Sequence, residues 1–363
     1  MSSVTPPSWS DNDGPQRQLV IPAHDDTIWR LAYLPDGRRA VTGSKDGTVK
    51  VWNLEGGEQE GTSMEHESEI KSFAVTRDGT KIISGDEDGN IKVWNVESHE
   101  LVKEWIHPES SPEIAISPDD RFVAVGAWRV SIYTMEGRQR SVEVGKAIRS
   151  LCFSPDGTKL ACGTLRDIRV YDVVNGRLIL GPLRGHEKRV NCVLWSRDGR
   201  RLFSASEDKA IRCWDSDTGE QIRHPWTGHK DSIRSLSLSP GGLILASASL
   251  DHTIRFWDAP TGNPIGQYLQ HDKQINAVRF SPSGESVASA GWDGKIHLWR
   301  VPWLNAITHQ VITSFGCVLT PALILCRFSH LELSLTYVKM KFVHKYFSVS
   351  LSTLLYLFIM VNK

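Results

Sequence analysis

Apolar residues alternate with polar ones in short runs along most of the chain. Val49 and Val51, Ile91 and Val93, Ile211 and Cys213, Ile254 and Phe256, and Ile296 and Leu298 each flank one charged residue or histidine. A period of two is the strand period, because successive side chains of an extended chain point to opposite faces. Other β-rich runs precede them, such as Ile28 to Tyr33, Val190 to Trp195 and Ile275 to Phe280, with shorter ones at Lys81 to Ser84 and Arg201 to Ser204. No helical period competes with this pattern.

Turn signals punctuate the runs at a regular interval. They read Pro35-Asp36-Gly37, Arg77-Asp78-Gly79, Pro118-Asp119-Asp120, Pro155-Asp156-Gly157, Arg197-Asp198-Gly199, Pro240-Gly241-Gly242 and Pro282-Ser283-Gly284, spaced by 42, 41, 37, 42, 43 and 42 residues. Pro presets φ at the first corner of a hairpin turn, and Gly accepts the positive φ needed to leave it. Seven units follow, each with room for four short strands. A lone four-stranded sheet of about 40 residues cannot bury both its faces, whereas sheets set radially cover one another and leave only short edges. The expected fold is all-β, a seven-bladed β-propeller of four-stranded antiparallel blades.

A second periodicity sits on the first. His24, Thr42, Asp46 and Trp52 recur as His66, Ser84, Asp88 and Trp94; as His186, Ser204, Asp208 and Trp214; as His229, Ser247, Asp251 and Trp257; and as His271, Ser289, Asp293 and Trp299. In every set the hydroxyl lies ten residues before the Trp and the Asp six before it. On these residues the chain resembles the WD-repeat family of propellers from roughly residue 16 to 301. The resemblance implies that each set forms a buried chain of hydrogen bonds, from indole N–H through hydroxyl and imidazole to carboxylate. Such a network is worthwhile only when every member is satisfied. Units three and four depart from it: Tyr133 and Tyr171 replace the Trp, the hairpins around Trp128 and Asp167 are short, and Val144 stands in place of the fourth His. They are expected to be the softest sector of the ring.

After Trp299 no further strand of the repeat appears, which leaves the seventh unit one strand short. The stretch from Gly14 to His24 has the same Gly-to-His spacing as Gly176 to His186 and Gly219 to His229. An N-terminal strand is therefore expected to complete the last blade. This divides the chain into a disordered segment at 1–15, the propeller at 16–301 and an extension at 302–363. The extension has two apolar stretches, Val311 to Cys326 and Tyr346 to Val361, and Glu332 as its single acid. Three readings compete for it: a translated non-coding extension, a membrane tail anchor flanked by Lys339, Lys341 and Lys345, and a partner-binding or packed extension.

Composition narrows the function. Of 363 residues, Lys+Arg and Asp+Glu each number 42, so no overall field favours nucleic acid or a membrane surface. Cys152, Cys162, Cys192 and Cys213 fall inside apolar runs, where a thiol behaves as a small hydrophobe, and the N-terminus lacks a signal-like apolar stretch. The cytosol or nucleus fits. Recurring Ser, His and Asp suggest a hydrolytic triad, but five copies at blade period fit a structural role. Asp86-Glu87-Asp88-Gly89-Asn90 resembles a calcium loop without its distal Glu, and reads as a charged hairpin tip. No phosphate loop, dinucleotide turn or zinc motif occurs. Neither catalytic residues, a cofactor nor a metal is expected. The Trp-Asp-x-Arg signature with which some family members dock on a ubiquitin-ligase core is missing, since Trp214-Asp215-Ser216-Asp217 and Trp257-Asp258-Ala259-Pro260 lack the Arg.

The expected function is a protein-protein interaction scaffold binding proteins or peptides on its rim. The alternatives are a membrane-tethered scaffold and an enzyme of unrecognised type. Within a blade the His and Asp must approach, so residues three and five after the His, and the residue before the Asp, share one rim. They read Thr27, Trp29 and Lys45; Glu69, Lys71 and Glu87; Arg189, Asn191 and Glu207; Ser232, Arg234 and Leu250; and Gln274, Asn276 and Trp292, with Arg149 from the fourth unit. Trp29 and Trp292, with Lys45, Lys71, Arg149, Arg189 and Arg234, are the candidate partner-binding residues, for an acidic-aromatic or phosphorylated peptide.

Overall fold

A computed structural model describes residues 16–134, 139–144 and 146–301. The two flanking assignments, a disordered segment at 1–15 and an extension or tail anchor at 302–363, lie outside the described residues.

The described chain is a seven-bladed β-propeller. Seven antiparallel sheets each run from an inner to an outer strand. Blade 1 holds Ile28–Tyr33, Arg39–Ser44, Thr48–Asn53 and Gln59–Glu65 in that order. The innermost strands of the other blades are Ile70–Val75, Glu113–Ile116, Ser150–Phe153, Val190–Trp195, Ile233–Leu238 and Ile275–Phe280. Each packs against the next, and the last packs against the first, which closes the ring. Blade 5 shows three regular strands; its outer place is taken by a looser segment bridged at Ile211 to Trp226 and Trp214 to Gln221.

Closure mixes the two ends of the repeat region. Gln16–Pro22 pairs antiparallel with Lys295–Arg300 and forms the outer strand of blade 7. The shared blade removes the open edge that an incomplete ring would present.

The core lies between blades, as radial packing requires. Ile21, Leu31, Ala40, Trp52 and Leu298 interlock across the seam of blades 7 and 1, and Phe256, Phe280, Val287 and Trp299 between blades 6 and 7. Burying each large side chain contributes roughly 1.5–3 kcal/mol. At the opposite end from the hairpin tips, the turns form a second ring of contacts. Gly79, at φ 71°, faces the Pro35 ring of the preceding blade so closely that a Cβ would come within 2.9 Å of it. Blade 3 has Asp120 at this place, also at positive φ, and its carboxylate accepts from the backbone N–H of Arg77 at 2.8 Å instead.

Candidate functional site

The hairpin tips are fixed by the four-residue sets. In blade 6, Trp257 Nε1 donates to Ser247 Oγ at 2.8 Å, Ser247 Oγ meets His229 Nε2 at 2.7 Å, and His229 Nδ1 meets Asp251 Oδ2 at 2.8 Å. Blade 5 repeats this through Trp214, Ser204, His186 and Asp208, each link 2.8 Å. Blade 1 does so through Trp52, Thr42, His24 and Asp46, at 2.8, 2.7 and 2.8 Å. Because the carboxylate can only accept, the imidazole donates from Nδ1 and accepts the hydroxyl proton at Nε2. Burial works against the charged form of Asp46, Asp208 and Asp251, but the hydrogen bonds and charge of their histidines, together with neighbouring backbone and hydroxyl donors, hold all three carboxyls below their usual range. Each hydroxyl is fully buried with its partners in place, so a substrate has no approach to it.

Two sets differ from the expected assignment. In blade 2 the carboxylate that meets His66 is Asp86, at 3.2 Å, not Asp88. Asp86 ends the strand Lys81–Asp86 with its side chain inward, where blades 1, 5 and 6 place Ser44, Ser206 and Ser249. There it also accepts from the N–H groups of Asp88 and Asn90 and from Asn90 Nδ2, while Asp88 is exposed. Trp94 and Ser84 keep their places, at 2.8 Å, with Ser84 2.7 Å from His66. In blade 7, Asp293 bonds His297 at 2.7 Å rather than His271, because His297 stands on the adjoining strand with a ring nitrogen in reach. His271 retains Ser289 at 3.2 Å, and Trp299 donates to Ser289 at 3.1 Å.

With the tips fixed, the inner strands shape the axial mouth. In the five blades that carry both the His and the Trp of the four-residue set, the register of the innermost strand skips one residue: Trp29, Lys71, Asn191, Arg234 and Asn276. A bulge leaves its extra residue out of the ladder and re-aims that side chain. All five bulged residues line one cavity of about 360 Å³, with Arg30, Glu87, Ser111, Glu113 and Arg149. The blade 3 and 4 strands show no such skip. A backbone bond joins the other two rim positions in each blade, from Lys45 N to Thr27 O, Glu207 N to Arg189 O, and Trp292 N to Gln274 O, all at 2.9 Å.

Four cations face two carboxylates in this lining. Arg30 pairs with Glu113. Lys71 meets Glu69 at 2.5 Å and Glu87 at 3.6 Å, and lies 5.6 Å from the centre of the Trp29 ring. Arg234 is 3.9 Å from Glu207. Burial lowers its guanidinium pKa, with Arg30 and Arg149 adding to that against the pull of Glu207. Three buried polar atoms of the lining residues have no partner: Trp29 Nε1, Arg234 Nε and Asn276 Oδ1. Asn276 is 3% exposed, and its amide nitrogen is spent on Ile28 O at 3.0 Å.

Of the candidate partner residues, Trp29, Lys71, Arg149 and Arg234 come together in this cavity. Lys45, Arg189 and Trp292 stand outside its lining; Lys45 is 3.6 Å from Asp26, and Trp292 is 51% exposed on the tip of blade 7. Arg30, Ser111 and Glu113 were not among the candidates, and no rim position counted from a His would have found them.

Comparison with known proteins gives a consistent family signal. The family described as "WD domain, G-beta repeat" matches residues 15–53 and 57–95, and that described as "IFT122 first beta-propeller" matches 147–300. The intraflagellar transport protein 122 homolog of Danio rerio is 42% identical over 69 residues, 19% of this chain and 6% of that protein. The WD repeat-containing protein SL1-17 of Schistosoma mansoni is 36% identical over 110 residues, 29% of this chain and 36% of that protein. The U3 small nucleolar RNA-associated protein 15 homolog of Xenopus laevis is 26% identical over 192 residues, 52% of this chain and 30% of that protein. The matches thus span a minor part of each relative's length.

Proposed function

We propose, from the premise that this chain belongs to the WD-repeat β-propeller family, that it is a non-catalytic scaffold whose axial mouth docks an acidic or phosphorylated segment of a partner protein. The observation that carries this reading is the set of unpaired polar atoms in a cationic cavity. A buried donor or acceptor without a partner costs roughly 1–3 kcal/mol, which a ligand group can recover. Trp29 Nε1 and Arg234 Nε offer N–H groups to an oxyanion, and Asn276 Oδ1 accepts an N–H. One acidic residue of a peptide supplies both, the oxyanion from its side chain and the N–H from its backbone. Burial first, and then the charges of Arg30 and Arg149, lower the Arg234 guanidinium pKa, and an anion at the mouth offsets those like charges. Trp292, Lys45 and Arg189 on the surrounding tips extend the contact outward.

The four described cysteines are free thiols, and burial raises the pKa of Cys152 and Cys213 to about 11. Their inertness supports a place in the cytosol or nucleus.

A peptide array of matched acidic, phosphorylated, neutral and basic sequences, probed with the full chain, tests the reading. Acidic and phosphorylated spots should dominate. Trp29→Ala, and separately the exposed-site change Arg149→Glu, should weaken them at least about tenfold, about 1.4 kcal/mol. Equal binding of basic peptides, displacement by a uridine homopolymer at lower concentration than by the best peptide, or indifference to both variants would overturn the proposal.

A further inference from the structure

Blade 7 departs at one position from the other blades that carry both the His and the Trp. Two residues before the indole, blades 1, 2, 5 and 6 carry a cation: Lys50, Lys92, Arg212 and Arg255. Lys50 donates to Ala23 O at 3.2 Å and Lys92 to Glu65 O at 3.1 Å, the carbonyls just before His24 and His66. Both ammoniums lie over their indoles, 6.0 and 5.7 Å from the ring centres of Trp52 and Trp94. Arg212 and Arg255 occupy the same seat: a Cβ on Gly185 or Gly228, just before His186 and His229, would come 3.1 Å from the Nη1 of each. Blade 7 has His297 there, and its Nε2 turns to Asp293.

The empty seat is filled from the other end of the repeat region. Arg17 of the closing strand sits opposite Trp299 in the ladder. Its Nη2 lies 3.4 Å from Gln270 O, the carbonyl before His271, and its guanidinium carbon 4.8 Å from the centre of the Trp299 ring. Beneath it, the rings of His271 and His297 meet edge to face at 4.6 Å, both at least 95% buried. Asp293, the one carboxylate beside them among the described residues, bonds His297. His297 spends Nε2–H on it, and its Nδ1 is buried with no partner.

We propose that blade 7 is a proton-sensitive latch, in which Arg17 of the N-terminal strand holds the ring closed and protonation of His271 releases that strand. The groups that face His271 are His297 and Asp293 from its own blade, Arg17 from the closing strand and His252 from the hairpin of blade 6. Only Asp293 is an acid. Burial, followed by the charges of His297 and Arg17, pushes the His271 imidazole down to about 3. Its ordinary value, toward which it returns when the strand leaves, is 6.5. The folded value is the lower one, so the released state takes up the proton first. The closed latch is at full strength above pH about 6.5 and weakens as pH falls from there toward about 3.

Hydrogen exchange of the full chain, corrected for intrinsic rates at each pH, reads the latch. Below pH about 6.5, protection of residues 16–22 should fall by up to about tenfold per pH unit, the slope of one bound proton. The equivalent outer strand of blade 6, residues 264–270, should keep its protection. His297→Lys refills the cation seat and returns Asp293 to His271, and should flatten the slope. His271→Gln removes the titrating ring and should flatten it too. Parallel loss in residues 16–22 and 264–270, or an unchanged slope in whichever of the two variants folds, would overturn the latch.

Discussion

Blades 6 and 4 tie a hairpin tip to the body of a sheet by opposite chemistries. Blade 6 uses a relay of Trp257, Ser247, His229 and Asp251, in which every polar atom of the chain has a partner and the indole closes the inner end. Blade 4, with Val144 and Tyr171 in place of His and Trp, has Asp167 buried beside two cations. Lys146 Nζ lies at 2.5 Å, Arg169 Nε at 3.3 Å, and Thr164 Oγ1 donates at 2.8 Å. Burial works against the Asp167 charge, but Lys146 and Thr164 outweigh it, and the carboxyl stays below its usual range. The relay buries a single formal charge at its outer end and carries it inward as hydrogen bonds. The ion cluster needs a charge on both sides, and its lysine stays 38% exposed. Exposed ion pairs are screened and contribute little, and buried ones repay their desolvation only in excellent geometry. We infer that the relay blades are the rigid sector and blades 3 and 4 the softer one.

The largest expected effect breaks the relay. Asp251→Ala takes the 2.8 Å carboxylate from buried His229 Nδ1–H, leaving it only Thr253 Oγ1 at 3.3 Å, and strips the backbone N–H of Lys230 of its 2.8 Å partner. It should cost about 3 to 5 kcal/mol, read as a lower urea midpoint at constant slope. A cost near zero would mean that the relay is ornament. The matching change in blade 4 is smaller. Lys146→Ala removes one of two cations but leaves Arg169 and Thr164 on Asp167, and water can reach the gap. About 1 to 2 kcal/mol should be lost in the same titration. A loss as large as that of Asp251→Ala would equate the two chemistries.

Much of this was legible in the residues alone, for a physical reason. The hydroxyl, the Asp and the Trp of a relay lie on one hairpin, whose ladder fixes their spacing, so sequence distance stands for spatial distance. The same holds for the closing strand, where Gly14 to His24 repeats a spacing used twice elsewhere. What was not legible depends on partners that spacing does not reach. The inward aim of Trp29, Lys71 and Arg234 comes from bulges, set by the register between two strands rather than by parity along one. The pairing of Arg30 with Glu113 spans blades 1 and 3, and Arg17 reaches Gln270 from the far end of the repeat region. His297 took Asp293 because a second imidazole stood within reach, a competition that counting from Trp299 cannot see.

The smallest expected effect makes the sharpest distinction, because blade 2 offers two aspartates two residues apart for one histidine. Counting six back from Trp94 selects Asp88, and the fold selects Asp86. The choice follows from which residue ends the strand. Asp86 is the last residue in the ladder, opposite Ile70, so its side chain is committed to the interior. Once there it needs donors, and His66 Nδ1, two backbone N–H groups and Asn90 Nδ2 supply them. Asp88 lies beyond the ladder, on the exposed tip, and contributes its backbone N–H to that cage rather than its carboxylate. Asp88→Ala keeps the N–H and removes only a solvated charge, so it should shift stability by no more than about 0.5 kcal/mol. Asp86→Ala, in the same background, should approach the cost of Asp251→Ala. Two urea titrations settle it: a large cost at Asp88 with a small one at Asp86 would restore the carboxylate to the position that spacing assigns, and with it a blade 2 identical to blades 1, 5 and 6.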